Sequence, residues 1–245
     1  MTNQTNPLLT DTTLCAIVRD EMLNPAQLPG KSGIRSFVET HAPLVERAII
    51  IDTGSIDGTR QELEQLEAEF PNLKVKDRKF NGYDRSRNAS IRKVQTKYIL
   101  VLDVDELLTL KQARRLAEAQ GANPLAMDSK PAFYFDLMQV SKGGSVYDMT
   151  NHNARCFLNH PKLKYISLGG LWELLQINWS AISSARSVHL DPELRIYHFA
   201  SGVDHGNQIK KEEWYNGGYK RGKSPANMPH FKDWKAPNRF RIKYK

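Results

Sequence analysis

Short blocks of continuous hydrophobicity alternate, in the first half of the chain, with stretches whose apolar residues recur every three or four positions. Leu14 to Arg19 is an apolar run that turns abruptly into Asp20-Glu21, which predicts a buried strand delivering acids at its C-terminal end. A Pro- and Gly-containing segment from Asn24 to Gly33 predicts a loop, and Ile34 to His41 a helix. Ala48 to Ile51 predicts a second buried strand, left through the turn Asp52-Thr53-Gly54-Ser55-Ile56-Asp57-Gly58. Beyond it, Thr59 and Glu62 have capping-box spacing, Leu63, Leu66 and Phe70 form one apolar stripe, and Pro71 ends the helix. Leu73 to Val75 predicts a third strand, Asp84 to Gln95 a second crossover helix, and Tyr98 to Leu102 a strand that stops at Asp103. Strands joined by helical crossovers imply an α/β fold with a mainly parallel sheet covered on both faces. Ligands of such sheets sit beyond the carboxyl ends of the strands, which is where Asp20, Asp52 and Asp103 fall.

After one more predicted helix, Leu110 to Ala119, the alternation is lost. Ala132 to Val140, Ala154 to Leu158, Leu163 to Ile166 and Arg195 to Phe199 predict shorter strands of mixed direction, separated by Gly143-Gly144, His160-Pro161 and Gly169-Gly170. No internal repeat or low-complexity tract is visible in the sequence.

Composition changes this picture at three points. The longest apolar runs are strand-sized and far short of the roughly 20 residues that span a bilayer. The first twelve residues are polar and show no secretory signal, so a cytoplasmic location is expected. Cys15 and Cys156 both lie in apolar runs, which suits buried, reduced thiols better than a disulfide or a zinc site. The net charge of +8 is confined to the end of the chain: residues 205–245 hold eleven Lys/Arg against three acids, whereas the first 204 residues hold 24 of each. Seven aromatic residues are interleaved with those cations, so the tail could meet phosphates on nucleic acid, an anionic lipid surface or a small anionic substrate, or pack as a solvated extension.

The strongest chemical signal is Leu102-Asp103-Val104-Asp105-Glu106. Two carboxylates one residue apart at the end of a buried strand can share a divalent cation, magnesium or manganese, with phosphate oxygens. Such a cation neutralises the charge that builds on a departing diphosphate. The order Cys15-Ala16-Ile17-Val18-Arg19-Asp20-Glu21, Ile51 through Thr59, Ser86-Arg87-Asn88-Ala89 and Leu102 through Glu106 resembles the N-terminal half of family 2 glycosyltransferases with the GT-A fold, clearly over residues 14 to 110. That resemblance implies a GT-A-like, Rossmann-like fold, with a mixed-strand acceptor half and the basic tail added to it. It implies metal-dependent transfer of a sugar from a nucleotide-sugar, a UDP-sugar, to a hydroxyl with inversion, using Mn2+ or Mg2+. By the same resemblance Arg19, Glu21, Asp52, Ser55, Arg87, Asn88 and Asp103 surround the donor, with Asp52 at the base and Arg87 and Asn88 at the ribose and diphosphate. Asp103 and Asp105 hold the ribose and metal, and His198 resembles a late histidine that supplies a third metal ligand, although a packed core histidine has the same pattern. The segment Arg155 through Glu173 is similar to one that ends in Gly-x-x-His-Glu, but here Trp172 replaces the histidine. Glu173 is thus the candidate base that takes the acceptor proton, with Asp136 and Asp204 as rivals.

The expected organisation is a flexible N-terminus over 1–12, a nucleotide-sugar-binding half over 13–110, an acceptor half of the same domain over 111–204 and the basic aromatic extension over 205–245. Acceptors compatible with the tail are a saccharide, a lipid-linked glycan reached by peripheral membrane contact, or DNA. The DNA alternative is a phage-type transfer to a hydroxymethylated base, with phosphate contacts from Lys220, Arg221, Lys223, Arg239 and Arg241. Other classes weighed are a nucleotidyltransferase, whose glycine-rich loop is absent after the first strand, and a non-catalytic binding module. Asp52-Thr53-Gly54-Ser55 also matches an aspartic-protease string, but that chemistry needs two such aspartates and an all-β frame.

Overall fold

A computed structural model describes residues 6–22, 30–122, 125–140, 146–167, 173–183, 187–189 and 195–199. The basic tail, Asp204 and Gly169 through Trp172 lie outside the described residues.

In chain order the elements are β1 (Leu9–Val18), α1 (Gly33–His41), a 3-10 turn (Ala42–Leu44), β2 (Val45–Asp52), α2 (Thr59–Glu69), β3 (Leu73–Asp77), α3 (Tyr83–Ile91), β4 (Tyr98–Val101), β5 (Glu106–Leu107) and α4 (Leu110–Ala122). They continue with β6 (Ala132–Val140), β7 (Val146–Leu158), β8 (Leu163–Ser167), β9 (Glu173–Ile177), β10 (Ser180–Ala181), β11 (Ser187–His189) and β12 (Arg195–His198). The main sheet runs β3-β2-β1-β4-β7-β6-β12-β5, with β11 also paired to β6. Its first four strands are mutually parallel, as expected, and β7 then inserts antiparallel between β4 and β6. The later strands thus extend the same sheet, and a second sheet, β10-β9-β8, packs against it.

The inner parallel strands β1, β2 and β4 are apolar on both sides because both faces are covered, whereas the edge strand β3 buries only Leu73 and Val75. Leu14, Ala16 and Val18 of β1 face a layer made by Ile34, Phe37 and Val38 of α1, Leu63 and Leu66 of α2, and Ala113 and Leu116 of α4. The alternate residues Cys15 and Ile17, with Ile49, Ile51, Ile99 and Val101, face Ile91 of α3 and Leu163, Tyr165, Leu175 and Ile177 of the small sheet. Period-two alternation therefore decides which layer a residue joins, not whether it is buried. Both cysteines are free and buried.

The element boundaries differ from the sequence expectation where a side chain outside the periodic stretch takes over. β1 starts at Leu9, inside the stretch expected to be flexible, and a backbone irregularity at Asp11 (φ 54°) separates its first residue from the regular ladder. Thr59 is not the cap of α2: Gly58 occupies that position with φ 106°, and Asp57 Oδ1 accepts from the Thr59 amide (2.9 Å) and hydroxyl (2.6 Å). α3 ends at Ile91, four residues early, because Val94 and Thr96 give their carbonyls to the Asn159 amide instead of to a helix. No helix among the described residues is long and apolar enough to cross a membrane.

Candidate active site

The parallel strand order 3-2-1-4 changes direction at β1, so the crevice beyond the C-terminal ends of β1, β2 and β4 is the topological switch point where α/β sheets bind ligands. Two constructions meet there, built from acids used in opposite ways.

The first is the loop that leaves β2. Asp52 is 3% exposed, and its Oδ1 accepts from the amides of Gly54 (2.8 Å) and Ser55 (2.9 Å). Gly54 sits at φ 104°, a conformation that favours glycine. Asp20 closes the loop from the other side: its Oδ1 accepts from the Ile56 amide (2.7 Å), and its own amide donates to Ser55 Oγ (3.0 Å). Its left-handed φ of 56° is tolerable for Asp. The Glu21 amide donates to Thr59 Oγ1 (2.7 Å), and the Met22 amide to Asp57 Oδ2 (3.0 Å). Arg19 reaches the Thr53 carbonyl at 3.4 Å. The two strand ends are thus laced into one rim, in which Ser55 ties loop to loop. Asp52 Oδ2 is buried without a hydrogen-bond partner among the described residues, which leaves an acceptor unused at the strand end.

The second construction is a buried charge lattice. Arg87 on α3 donates through Nε to Glu173 Oε2 (2.6 Å) and through Nη2 to Asp103 Oδ1 (2.7 Å), and its guanidinium lies 5.8 Å from the Tyr165 ring centre. Arg155 on β7 reaches Asp103 Oδ2 (3.4 Å) and Glu106 Oε1, while Glu106 Oε2 accepts from the Asp103 amide (2.9 Å). Burial alone would raise Asp103, but the Arg87 and Arg155 charges hold its carboxyl well below the ordinary range. Burial pushes Glu106, 1% exposed, up to about 7 despite the pull of Arg155, with the Asp103 charge adding to the rise. Burial also raises Glu173 against the pull of Arg87. Arg87 Nη1, Arg155 Nε and Glu173 Oε1 are left buried with no hydrogen-bond partner among the described residues. The lattice therefore holds two donors and one acceptor without protein partners beside a cluster of fixed charge.

Several expected site residues converge here and others do not. Asn88 is occupied structurally: its side-chain nitrogen donates to the Tyr165 carbonyl (2.8 Å) and its oxygen accepts from the Tyr165 amide (2.9 Å), clamping α3 to β8. Asp136 lies on β6, two strands from β4, opposite Arg195 of β12 and His152 of β7. Asp103 and Asp105 turn to different partners. Asp105 Oδ2 lies 3.8 Å from His198 Nε2, and the His198 Nδ1 lies 3.0 Å from Gln139 Oε1. Among the described residues no three His, Cys, Asp or Glu side chains form a metal cage. The residues fit a cation in part: Asp105 and His198 offer a hard oxygen and an imidazole nitrogen, whereas both Asp103 oxygens are engaged by guanidinium groups. Sequence reasoning missed Arg155 and Glu106 as lattice members. The third acid of Asp103-Val104-Asp105-Glu106 was a signal for Glu106, whereas an isolated arginine 49 residues later gave none.

A model of the glycosyl transferase family 2 matches residues 33–161, more than half of the 245-residue chain. The chain belongs to that family. Among solved structures, this family 2 chain is similar to a mannosyltransferase, PcManGT from Pyrobaculum calidifontis in complex with GDP-Man and Mn2+, at 12% identity and a TM-score of 0.53, over 82% of this chain and 59% of that one. The crystal structure of S. aureus TarS 1-349 is a weaker match, at 16% identity and a TM-score of 0.40, over 57% of this chain and 38% of that one. The family 2 chain thus spans less than two thirds of either of those chains. The mannosyltransferase likeness agrees with the GT-A architecture described above. No curated protein matches the sequence.

Proposed function

We propose that this family 2 chain transfers a sugar from a nucleoside diphosphate sugar, a UDP-sugar, to a hydroxyl acceptor with inversion at the anomeric carbon. The observation that carries the reading is Arg87, a buried guanidinium at the switch point that bridges Asp103 and Glu173 and whose Nη1 keeps an N–H without a partner among the described residues. A diphosphate oxygen is the ligand group best suited to that N–H. At the other side of the crevice, Asp52 Oδ2 is the acceptor for the imide N–H of a uracil.

Asp105 and His198 would hold a manganese or magnesium ion, which neutralises charge on the departing diphosphate when bound. Glu173 Oε1 takes the acceptor hydroxyl proton as the acceptor oxygen bonds to the anomeric carbon and the sugar–phosphate bond breaks, the electron pair leaving with the diphosphate. Desolvation suits Glu173 to that role by raising its proton affinity, while Arg87 fixes its other oxygen. Asp103 keeps Arg87 oriented and can meet the ribose from the same strand end. The mannosyltransferase named above was solved with GDP-Man and Mn2+, which supports donor and metal class together.

The test is release of nucleoside diphosphate from a panel of UDP- and GDP-sugars, with and without manganese. A UDP-sugar is expected to turn over, and Asp105→Ala to lower the manganese-dependent rate about a hundredfold or more. Manganese-dependent turnover that survives Asp105→Ala would move the cation elsewhere, and preference for a GDP-sugar would remove the uracil assignment.

A further inference from the structure

At the edge of the molecule opposite the crevice, β9 and β10 are joined by a two-residue hairpin, Asn178-Trp179, with Ile177 paired to Ser180. Both loop residues have positive φ, 49° and 67°, the signature of a type I′ turn. Asn is well suited to the first place, and glycine is the residue favoured at the second. A tryptophan there strains the backbone, and burial recovers little, because Trp179 is 83% exposed, the most exposed of the large hydrophobic residues among the described residues. A bulky apolar ring held at an unfavourable φ in water is a feature that folding does not explain.

Its surroundings are cationic. Lys164 Nζ lies 3.6 Å from the Trp179 ring centre. Lys162 is exposed in the turn that leads into β8, and that turn is joined through Asn159 to the loop after α3, where Arg92, Lys93 and Lys97 are exposed. The acids nearby are Asp11 and Glu46, and both are partly engaged: Asp11 Oδ1 accepts from the Lys97 amide (2.8 Å), and Glu46 Oε2 from the Asp11 amide (2.8 Å). One cation thus lies against the exposed indole, and four more are exposed on the turn that leads into β8 and on the loop tied to that turn. A nucleotide or saccharide site is concave, whereas an exposed indole with a lysine against it and further exposed cations on adjoining turns matches the headgroup region of a bilayer, where indole rings settle and lysines meet anionic lipid.

We infer that the Trp179 hairpin tip, with Arg92, Lys93, Lys97, Lys162 and Lys164, is a docking face for an anionic lipid surface. The register of β8 with β9 runs from Leu163–Ile177 at this edge to Ser167–Glu173 at the crevice, about 13 Å of strand. Docking on the hairpin therefore leaves the crevice opening away from the bilayer. None of its residues belongs to the basic tail or to the site proposed for the transfer reaction.

The experiment uses the full chain, tail included, in co-sedimentation with vesicles of phosphatidylcholine alone or with one third phosphatidylglycerol. Binding is expected only to the anionic vesicles. Trp179→Gly keeps the hairpin and relieves its φ, so the variant folds at least as well as the parent, and it should weaken the partition on the order of tenfold. Lys93→Gln, Lys97→Gln and Lys162→Gln should each weaken it about fivefold, with a matching loss of salt sensitivity. Trp179→Gly binding like the parent would overturn the proposal and assign any lipid affinity to the tail. Equal affinity for a soluble anionic polysaccharide that competes with vesicles would also overturn it, in favour of a polyanion site.

Discussion

The rim loop and the charge lattice sit side by side at the same sheet edge, yet their acids hold different things. In the rim, Asp20, Asp52 and Asp57 accept from backbone amides, some two or three residues away and some across the 35 or 36 residues between the two strand ends, so the loop's shape is set by main-chain bonds. In the lattice, Asp103, Glu106 and Glu173 accept chiefly from Arg87 and Arg155, brought from 16 to 86 residues away. A carboxylate on amides makes a fixed socket that an incoming ligand fits. A carboxylate on a guanidinium can exchange partners, because a phosphate competes for the same N–H groups. Under the proposed transfer, the rim would receive the base at one end of the donor and the lattice the diphosphate at the other.

The largest expected effect separates the two regions directly. Arg87→Met leaves Glu173 without its cation and Asp103 with only the longer Arg155 contact, so urea denaturation should show a loss of about 3 to 5 kcal/mol. Adding Glu173→Gln to that variant should restore part of the loss, since a neutral amide removes the uncompensated buried charge. A cost no larger than that of deleting a rim acid would show that the lattice is no more than a set of caps.

Next in size is the joint between the regions. His41 at the end of α1 is buried, its Nε2 accepting from the Leu108 amide (3.1 Å), so that its Nδ1–H donates to the Phe37 carbonyl (2.8 Å). Burial depresses its pKa to about 4, with the Phe37 bond opposing. The folded pKa lies below the unfolded one, so the unfolded chain binds the proton first, and stability falls as pH drops from about 6.5 toward 4. The loss should reach about 3 kcal/mol in urea titrations across that window, and His41→Gln should flatten this part of the profile. A slope unchanged in the variant would place the titrating group elsewhere.

The smallest of the three is in the rim. Asp57→Ala removes the acceptor for the amides of Met22 and Thr59, a loss of about 1 kcal/mol in line with other helix-start caps, measurable by thermal unfolding. Its consequence for donor affinity should be larger than for stability, because the Asp52 turn is held against that loop. Equal effects on both would mean that the rim is not a preformed socket.

How far the sequence alone reached depends on the range of the interaction. Apolar runs and helical stripes located the first four parallel strands and their crossovers, since burial on both faces writes itself into consecutive residues. The same runs placed Asp20, Asp52 and Asp103 at strand ends, and those acids do stand at the switch point. Local pattern could not reveal that β7 would turn back between β4 and β6, bringing Arg155 onto Glu106. Nor could it show that Asn88 would clamp the Tyr165 backbone 77 residues away, or that Asp103 and Asp105, one residue apart, would face different partners. Periodicity reports only which side of a strand meets the core. Which charges neutralise one another is decided by the order of strands in the sheet, and that order exists only once the chain has folded.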